Sequence, residues 1–298
     1  VYDRHPEIGG LLSFGIPEFK LGYEVIRTRR KILQDMGVQF KLETEIGCDL
    51  PFEDVLENHD AIFLGLGAYT PMTAGIPGEG AYGVYRALDY LVGNTKHLLG
   101  FAAGGHCYVD LKGKNVVVLG GGDTAMDCVR TAVRQGAGEV RCLYRRDRQN
   151  MPGSQHEVEN AIEEGVEFLF NTQVRAINTA DDRVKAVRAV QTRLGDADES
   201  GRQRPEPIAD SEHDIETDAV IVAYGFKASP APWFTDFGIE TNRWGLVKVG
   251  ASDLSFQTSN PRIFAAGDMV RGADLVVTAI ADARKAANDI VQFLGASS

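Results

Sequence analysis

Short runs of apolar residues, many of them β-branched, alternate along the chain with longer amphipathic stretches. The runs AIFLGLGAY, NVVVLG, AVIVAYGF and RIFAAGD predict buried strands. The stretches 23–36, 52–57 and 275–294 predict helices. Strands that alternate with helices are typical of parallel sheets covered by helices, so the pattern predicts an α/β fold.

A glycine-rich segment, LLGFAAGGHCYVDLKGK, interrupts both periodicities and ends at the strand NVVVLG. We therefore expect a first domain over residues 1–109 and a second over 110–227. The last strand and helix, within 228–298, have no sheet of their own, so we expect them to complete the first domain. The polar segment GDADESGRQRPEPIADSEHD predicts a surface hairpin within the second domain.

The strongest motif is NVVVLGGGDTAMDCVRTAVRQGA, in which a strand leads through Gly120-x-Gly122-x-x-Ala125 into a helix. Gly120 permits a tight turn, Gly122 lets the backbone approach a pyrophosphate, and Ala125 allows close helix packing. The helix N-terminus, with Asp123 and Thr124, favours an anion through its free N–H groups. A glycine turn without a ligand is the alternative.

The end of the next strand indicates which dinucleotide binds there. An NAD enzyme places an acidic residue at that position to hold the ribose. Here the sequence has Arg145 and Arg146, whose guanidiniums can pair with a 2′-phosphate. NADPH is therefore favoured over NADH. Arg148 shows that the loop is generally basic, so two solvated arginines remain the alternative.

A second nucleotide site is indicated near the C-terminus, where Gly267 and Asp268 follow the strand RIFAA. A carboxylate at a buried strand end needs a partner, which the hydroxyl groups of a ligand could supply. The following helix could direct its positive end toward a ring system that becomes anionic on reduction.

Composition and charge narrow the function further. The 298 residues carry a formal net charge of -11 without a basic block, which argues against nucleic acid and anionic membranes as partners. No apolar run approaches the length of a bilayer span, and a secretory leader is not recognisable, so we expect a cytoplasmic protein. The four cysteines form no CxxC pair and no metal-ligand spacing, which argues against a thioredoxin-reductase-like dithiol enzyme.

The ordered runs VYDRHPEIGGLLSFGIPEFKL, VVVLGGGDTAMDCVRTAVRQGA, YRRDRQNMPGS and FQTSNPRIFAAGDMVRGADLVVTAI resemble the small subunit of glutamate synthase and related flavoproteins with two dinucleotide sites. The resemblance implies two Rossmann-like domains in a glutathione-reductase-like architecture. An FAD domain would be discontinuous, with the NADPH domain inserted into it.

The resemblance also assigns cofactor-binding residues. Asp3 would hold the adenosine ribose of FAD, and Glu157 would lie near the nicotinamide, although a solvated helix residue is an alternative for Glu157. Further FAD contacts would come from Gly9, Gly10, Leu11, Gly15, Ile16, Pro17, Gly67, Gly267, Asp268, Thr278 and Ala279. NADPH contacts would come from Gly120, Gly122, Asp123, Thr124, Ala125, Arg145 and Arg146. No catalytic side chain and no metal ligand is assigned.

The family pattern also contains a cysteine-rich segment for iron-sulfur clusters and a first glycine loop for FAD, neither of which this sequence shows. We therefore expect an N-terminal part to be missing and FAD to bind weakly to this chain alone.

The implied function is hydride transfer from NADPH to FAD, with electrons passing to iron-sulfur centres and a large synthase subunit that makes glutamate from glutamine and 2-oxoglutarate. A different acceptor, such as a pyrimidine-reducing domain, a ferredoxin or a sulfur-reducing partner, is the second hypothesis. A module that only binds NADPH or a partner is the non-enzymatic one.

Overall fold

A computed structural model describes residues 1–197, 203–250 and 252–296. The chain forms two compact units. Unit 1 comprises Val1–Ile8, Leu33–Met72 and Gly225–Ser298, and unit 2 comprises Gly9–Ile32 and Thr73–Tyr224.

The described residues form eight α-helices, thirteen strands and a 3-10 helix at Pro232–Phe237. The helices are α1 Leu11–Phe14, α2 Tyr23–Asp35, α3 Phe52–Glu57, α4 Ala87–Leu99, α5 Asp123–Arg134, α6 Gln155–Glu163, α7 Asp268–Arg271 and α8 Val276–Ala296. The strands are β1 Ile62–Leu64, β2 Thr70–Pro71, β3 Val84–Arg86, β4 Val116–Leu119, β5 Val140–Leu143, β6 Glu167–Leu169, β7 Thr172–Ala180, β8 Arg183–Ala197, β9 Gln203–Pro207, β10 His213–Glu216, β11 Ala219–Val222, β12 Phe226–Lys227 and β13 Ile263–Ala265.

Unit 2 contains a five-stranded parallel sheet in the order β3-β11-β4-β5-β6. Every residue of the central strand β4 is buried. Val116 and Val118 pack in one core cluster with residues of α5, and Val117 and Leu119 pack in a second cluster with residues of the antiparallel strands β7 and β8. Helix α5 packs against β4 and β5 with an apolar stripe that includes Ala125, Val129 and Ala132. The sheet continues past β4 in both directions, so the turn after β4 lies where ligands bind in open α/β sheets.

A second, antiparallel sheet of unit 2 has the order β10-β8-β7, and β9 also pairs with β8. The antiparallel pairing of β8 with β9 agrees with the predicted hairpin, although its residues 198–202 lie outside the described part of the chain. Strands β7 and β10 were not predicted, because apolar and polar residues do not alternate regularly along β7 and β10 has only four residues.

In unit 1, β1 and β13 pair in parallel, with Phe63 beside Phe264. Strands β2 and β12 form a small antiparallel pair. Strand β2 directly follows the run AIFLGLGAY, and β12 begins at the last residue of the similar run AVIVAYGF. A core that includes Phe52, Ile263 and Met269 lies within this unit.

The compact units divide the chain differently from the predicted domain boundaries at 109/110 and 227/228. Residues 73–109 belong to unit 2, since β3 pairs with β11 and α4 packs against α5. Residues 9–32 also belong to it, since α1 contacts α4 and Lys20 pairs with Asp127 on α5. These contacts join segments far apart in sequence, so periodicity alone does not reveal them. Among the described residues, no helix is long and apolar enough to cross a membrane.

Candidate functional site

The glycine turn between β4 and α5 is shaped by contacts that exclude side chains. Gly120 has a φ of +145°, and a Cβ there would collide with the backbone carbonyl of Ala223. A Cβ at Gly121 would lie 2.5 Å from the ring of Tyr144. At Gly122, by contrast, an added Cβ would meet no atom within 4 Å. The first two glycines are therefore required by the fold itself, whereas the third borders open space.

The N-terminus of α5 faces the same region with free donors. In residues 1–197, 203–250 and 252–296, the N–H groups of Gly122, Asp123 and Thr124 find no acceptor. Those of Ala125 and Met126 donate to the carbonyl of Gly122 at 2.9 and 3.2 Å. Free N–H groups at the positive end of a helix macrodipole favour an anion. The turn therefore has the donors and the space that a pyrophosphate needs.

The loop before α6 is tied to this turn. The N–H of Gly153 donates to the carbonyl of Gly121 at 2.9 Å, and the N–H of Ser154 donates to Oδ1 of Asp123 at 2.9 Å. One oxygen of the Asp123 carboxylate is thus engaged within the protein. The segment MPGS, which the sequence places about 30 residues downstream of the turn, becomes its immediate neighbour.

The two predicted coenzyme-selecting arginines follow β5 in irregular backbone, and neither forms an ion pair with any carboxylate of the described chain. Arg145 is exposed, and Arg146 is partly buried with its guanidinium 5.8 Å from the centre of the Tyr144 ring. Arg148 differs, because its guanidinium lies 3.4 Å from Glu159. Arg145 and Arg146 therefore remain available to an anion, whereas Arg148 is partly neutralised.

Glu157, in the first turn of α6, is held in an ion-pair network. Its Oε2 lies 2.8 Å from Nη1 of Arg130 and 3.3 Å from Nζ of Lys20. Lys20 Nζ also lies 2.8 Å from Oδ1 of Asp127, on α5. With a side chain only 14% exposed, Glu157 is not the solvated helix residue considered as an alternative.

The pKa values of both carboxyl groups in this network are shifted, but in opposite directions and by different causes. Burial acts to raise the pKa of Glu157, but the hydrogen bond from Arg130 and the nearby charge of Lys20 hold it below its ordinary value. Burial dominates at Asp127 and raises its pKa, although Lys20 opposes that rise. Burial acts to lower the pKa of Lys20, but its two carboxylate partners, Asp127 and Glu157, raise the pKa above its ordinary value.

The predicted flavin contacts of unit 2 lie in and beside helix α1. Gly9 and Gly10 adopt φ values of +101° and +53° just before that helix, and a Cβ at Gly9 would lie 2.6 Å from Oγ of Ser13. Phe14 is fully buried and meets Phe101 edge-on at 5.8 Å. The remaining predicted contacts of this segment are Leu11, Gly15, Ile16 and Pro17, which all lie in unit 2.

In unit 1, burial and the negative charges of Asp3 and Asp268 all raise the pKa of the Tyr69 hydroxyl. Burial raises the pKa of each carboxyl, although the N–H of His5 donates to Oδ1 of Asp3 at 2.9 Å. Burial also raises the pKa of Tyr69, and the charges of Asp3 and Asp268 add to that rise. Tyr69 therefore lies within electrostatic range of two carboxylates that are far apart in sequence.

Sequence reasoning missed Tyr69 and Arg4 in this cluster. The guanidinium of Arg4 lies 4.7 Å from the centre of the Tyr69 ring. Gly67 has a φ of +73°, and a Cβ there would lie 3.0 Å from the same ring. The position of Tyr69, two residues after the predicted turn glycine, was the available indication.

The N-terminus of α8 packs against the Gly267 turn of unit 1. Gly267 has a φ of +75°, and a Cβ there would lie 3.5 Å from Cβ of Ala279. The hydroxyl of Thr278 lies 2.6 Å from the carbonyl oxygen of Leu275 and 3.0 Å from Oδ2 of Asp274. The Thr278 hydroxyl therefore donates back to the residues just before α8, while Ala279 permits the close approach of the turn.

Comparison with known proteins identifies the family to which these features belong. Residues 53–283 match the family of pyridine nucleotide-disulphide oxidoreductases. The chain belongs to this family. It is 57% identical over 99% of its length to a glutamate synthase [NADPH] small chain of Halomonas elongata, of which it covers 62%. It is 50% identical over its whole length to the putative oxidoreductase AegA of Escherichia coli, of which it covers 46%.

Among solved structures, the chain resembles Mycobacterium tuberculosis FprA in complex with NADPH. The TM-score is 0.79 at 18% sequence identity, and the match covers 99% of this chain and 77% of that protein. This likeness and the family match confirm the predicted fold class of Rossmann-like domains. The expected resemblance to the glutamate synthase small chain is also confirmed. The chain spans less than two thirds of the length of those two relatives.

Proposed function

We propose that the protein is the NADPH- and FAD-binding part of an oxidoreductase similar to the glutamate synthase small chain. The observation that carries this proposal is the glycine turn of unit 2, with open space at Gly122. Within the described part of the chain, the first N–H groups of α5 have no acceptor and two arginines have no carboxylate partner. A pyrophosphate fits the turn and a 2′-phosphate fits the arginines. NADPH would supply hydride, and FAD would accept it and release electrons singly.

The residues of this chain would bind and orient the two cofactors. In unit 2, Gly122, Asp123, Thr124 and Ala125 would hold the pyrophosphate through backbone groups, and Arg145 with Arg146 would select the phosphorylated ribose. Lys20 and Arg130 keep Glu157 ionised, so this carboxylate could accept a hydrogen bond but would not serve as a proton donor near neutral pH. No acid or base is required for hydride transfer between stacked rings.

In unit 1, the fit to FAD rests on Asp3 and Asp268. Both carboxyl groups are partly buried with raised pKa values, so hydroxyl donors of a ribose or ribityl chain would relieve their desolvation. Tyr69, beside both, adds an aromatic surface.

The expected destination of the electrons is iron-sulfur centres and a large glutamate synthase subunit in the cytoplasm. The 57% identity to a glutamate synthase small chain supports this partner. A second acceptor is also supported, because the 50% identity to AegA shows that similar sequences occur in proteins with another name. Affinity capture with a purified large glutamate synthase subunit distinguishes the two, and failure to bind would favour the second.

The coenzyme assignment can be tested by replacing Arg145 and Arg146 together with alanine. Each lost charge-assisted bond should cost roughly 1.5–3 kcal/mol, so NADPH affinity should fall at least about tenfold while NADH affinity is nearly unchanged. Calorimetric titration of both coenzymes measures this. Arg148→Ala is the matched control and should bind NADPH as the wild type does. Equal losses for the two coenzymes would contradict the assignment.

A further inference from the structure

Arg145 and Arg146 lie in irregular backbone, so neither helix nor strand geometry fixes their direction. The carbonyl groups of Tyr144, Arg145 and Arg146, here called the arginine segment, nevertheless accept hydrogen bonds from residues in or next to the antiparallel sheet. The N–H of Thr172 donates to Tyr144 at 3.0 Å, and the N–H of Asn171 donates to Arg146 at 3.0 Å. The hydroxyl of Thr192 donates to the carbonyl of Arg145 at 2.9 Å.

Thr192 also anchors the residues that make the other two bonds. Its N–H donates to the carbonyl of Asn171 at 2.7 Å. Asn171 lies just before β7 with a φ of +51°, a left-handed conformation that asparagine tolerates better than most residues. The turn into β7 and the middle of β8 are thereby joined at one point.

The hydroxyl of Thr192 is the only side-chain donor among these three bonds to Tyr144, Arg145 and Arg146. Thr192 is 4% exposed, so water competes little for the bond. The other face of the segment is also fixed, because the Tyr144 hydroxyl donates to the carbonyl of Asn150 at 2.7 Å and its ring packs against Gly121. The antiparallel sheet thus holds the arginine segment beside the glycine turn.

We propose that Thr192 is a positioning residue for coenzyme selection, which sets the backbone of Arg145 so that the arginine pair meets a 2′-phosphate. This inference rests on the proposed NADPH site and adds a residue outside the dinucleotide motif. The antiparallel sheet would then act in recognition of the coenzyme as well as in the core.

Removal of the hydroxyl by Thr192→Val tests the inference, because valine preserves the shape and the β-branched backbone preference. The probes are adenosine 2′,5′-bisphosphate and adenosine 5′-monophosphate, which differ only in the 2′-phosphate. The ratio of their dissociation constants should shift against the bisphosphate by roughly three- to tenfold, the size expected for one lost hydrogen bond. Thr192→Ser should restore most of the wild-type ratio.

Thr217→Val is the matched control. Thr217 is also 4% exposed in unit 2, and its hydroxyl lies 2.8 Å from the carbonyl of Asn115, away from the arginine segment. This variant should lower thermal stability without changing the ratio. A wild-type ratio in Thr192→Val, or an equal shift in Thr217→Val, would overturn the inference. If the wild type itself shows no preference for the bisphosphate, the proposed function fails and the inference fails with it.

Discussion

The two compact units present their parallel strands in different settings. In unit 2, β4 lies between β11 and β5 and all its residues are buried. In unit 1, β1 pairs with β13 alone among the described strands, and Phe63 in its centre is 42% exposed. Helix α8 of unit 1 also exposes apolar side chains, including Val277 and Ile280.

This difference shows that the candidate site of unit 2 lies on a more completely packed sheet than the candidate site of unit 1. The unit 2 glycine turn packs against Ala223 at Gly120 and against Tyr144 at Gly121, so its shape does not depend on a ligand. The unit 1 residues Asp3, Tyr69 and Asp268 adjoin a sheet with an uncovered strand, which leaves apolar surface and backbone groups toward water. Unit 1 should therefore open locally more readily than unit 2.

The largest expected effect sharpens the contrast within the unit 1 sheet, where Phe63 and Phe264 are register partners. Phe264 is fully buried and meets Phe293 edge-on at 5.7 Å, so Phe264→Ala should lower the free energy of unfolding of unit 1 by about 3–5 kcal/mol. Phe63→Ala should cost well under about 1 kcal/mol. Hydrogen exchange of amides in each unit measures both changes. Similar losses for the two variants would show that β1 is covered as fully as β13.

A smaller effect tests whether the unit 2 turn is formed by its own packing. Gly120→Ala should destabilise unit 2 by on the order of 2–3 kcal/mol, because its φ of +145° is strained for alanine and the new Cβ meets Ala223. Gly122→Val should leave cooperative melting of unit 2 intact, yet it should abolish NADPH binding, since the branched side chain fills the pyrophosphate space. Calorimetric melting and titration separate the two outcomes. Normal NADPH binding by Gly122→Val would reduce the turn to a structural feature.

The smallest effect concerns the ion pairs that join α5 and α6 in unit 2. The pKa of Glu157 is lowered in the folded state, so its contribution to stability is present above the unfolded value of about 4.3 and is lost as pH falls through the folded value. Glu157→Gln should thus destabilise unit 2 near neutral pH by about 1–2 kcal/mol, because the lost ion pairs are largely buried. The loss is limited because Arg130 keeps Glu164 and Lys20 keeps Asp127 as partners. The difference from wild type should shrink below about pH 4.

Asp127 has the opposite effect on the pH dependence of stability. Its pKa is raised in the folded state, so ionisation of Asp127 favours unfolding as pH rises above its unfolded pKa. Glu159→Gln is the control, because Glu159 lies on the same helix but its pair with Arg148 is exposed. That variant should show no pH-dependent loss. Denaturant unfolding at several pH values is the measurement, and a constant deficit for Glu157→Gln across the acid range would argue against the ion-pair explanation.

The local structure of the proposed NADPH site was predictable from the sequence. The strand NVVVLG, the glycine turn and helix α5 are contiguous in sequence. The glycines predict the turn, and the spacing of apolar residues predicts the buried face of the helix. Arg145 and Arg146 could be proposed as coenzyme-selecting residues because the next strand of a Rossmann unit ends where the ribose lies. Helix α3 was predicted with its observed bounds, since a short amphipathic segment between turns leaves few alternatives.

Long-range pairing depended on packing between segments that the sequence separates widely. The entry of β3 into the unit 2 sheet, the pairing of Glu157 with Lys20 and the approach of Asp3 and Asp268 to Tyr69 each involve such segments. The hydrogen bond from Thr192 to Arg145 also appears only after folding, because nothing in the local sequence of β8 distinguishes this threonine. Local propensity specifies turns and helices, whereas the burial of apolar faces against one another determines which distant polar groups meet.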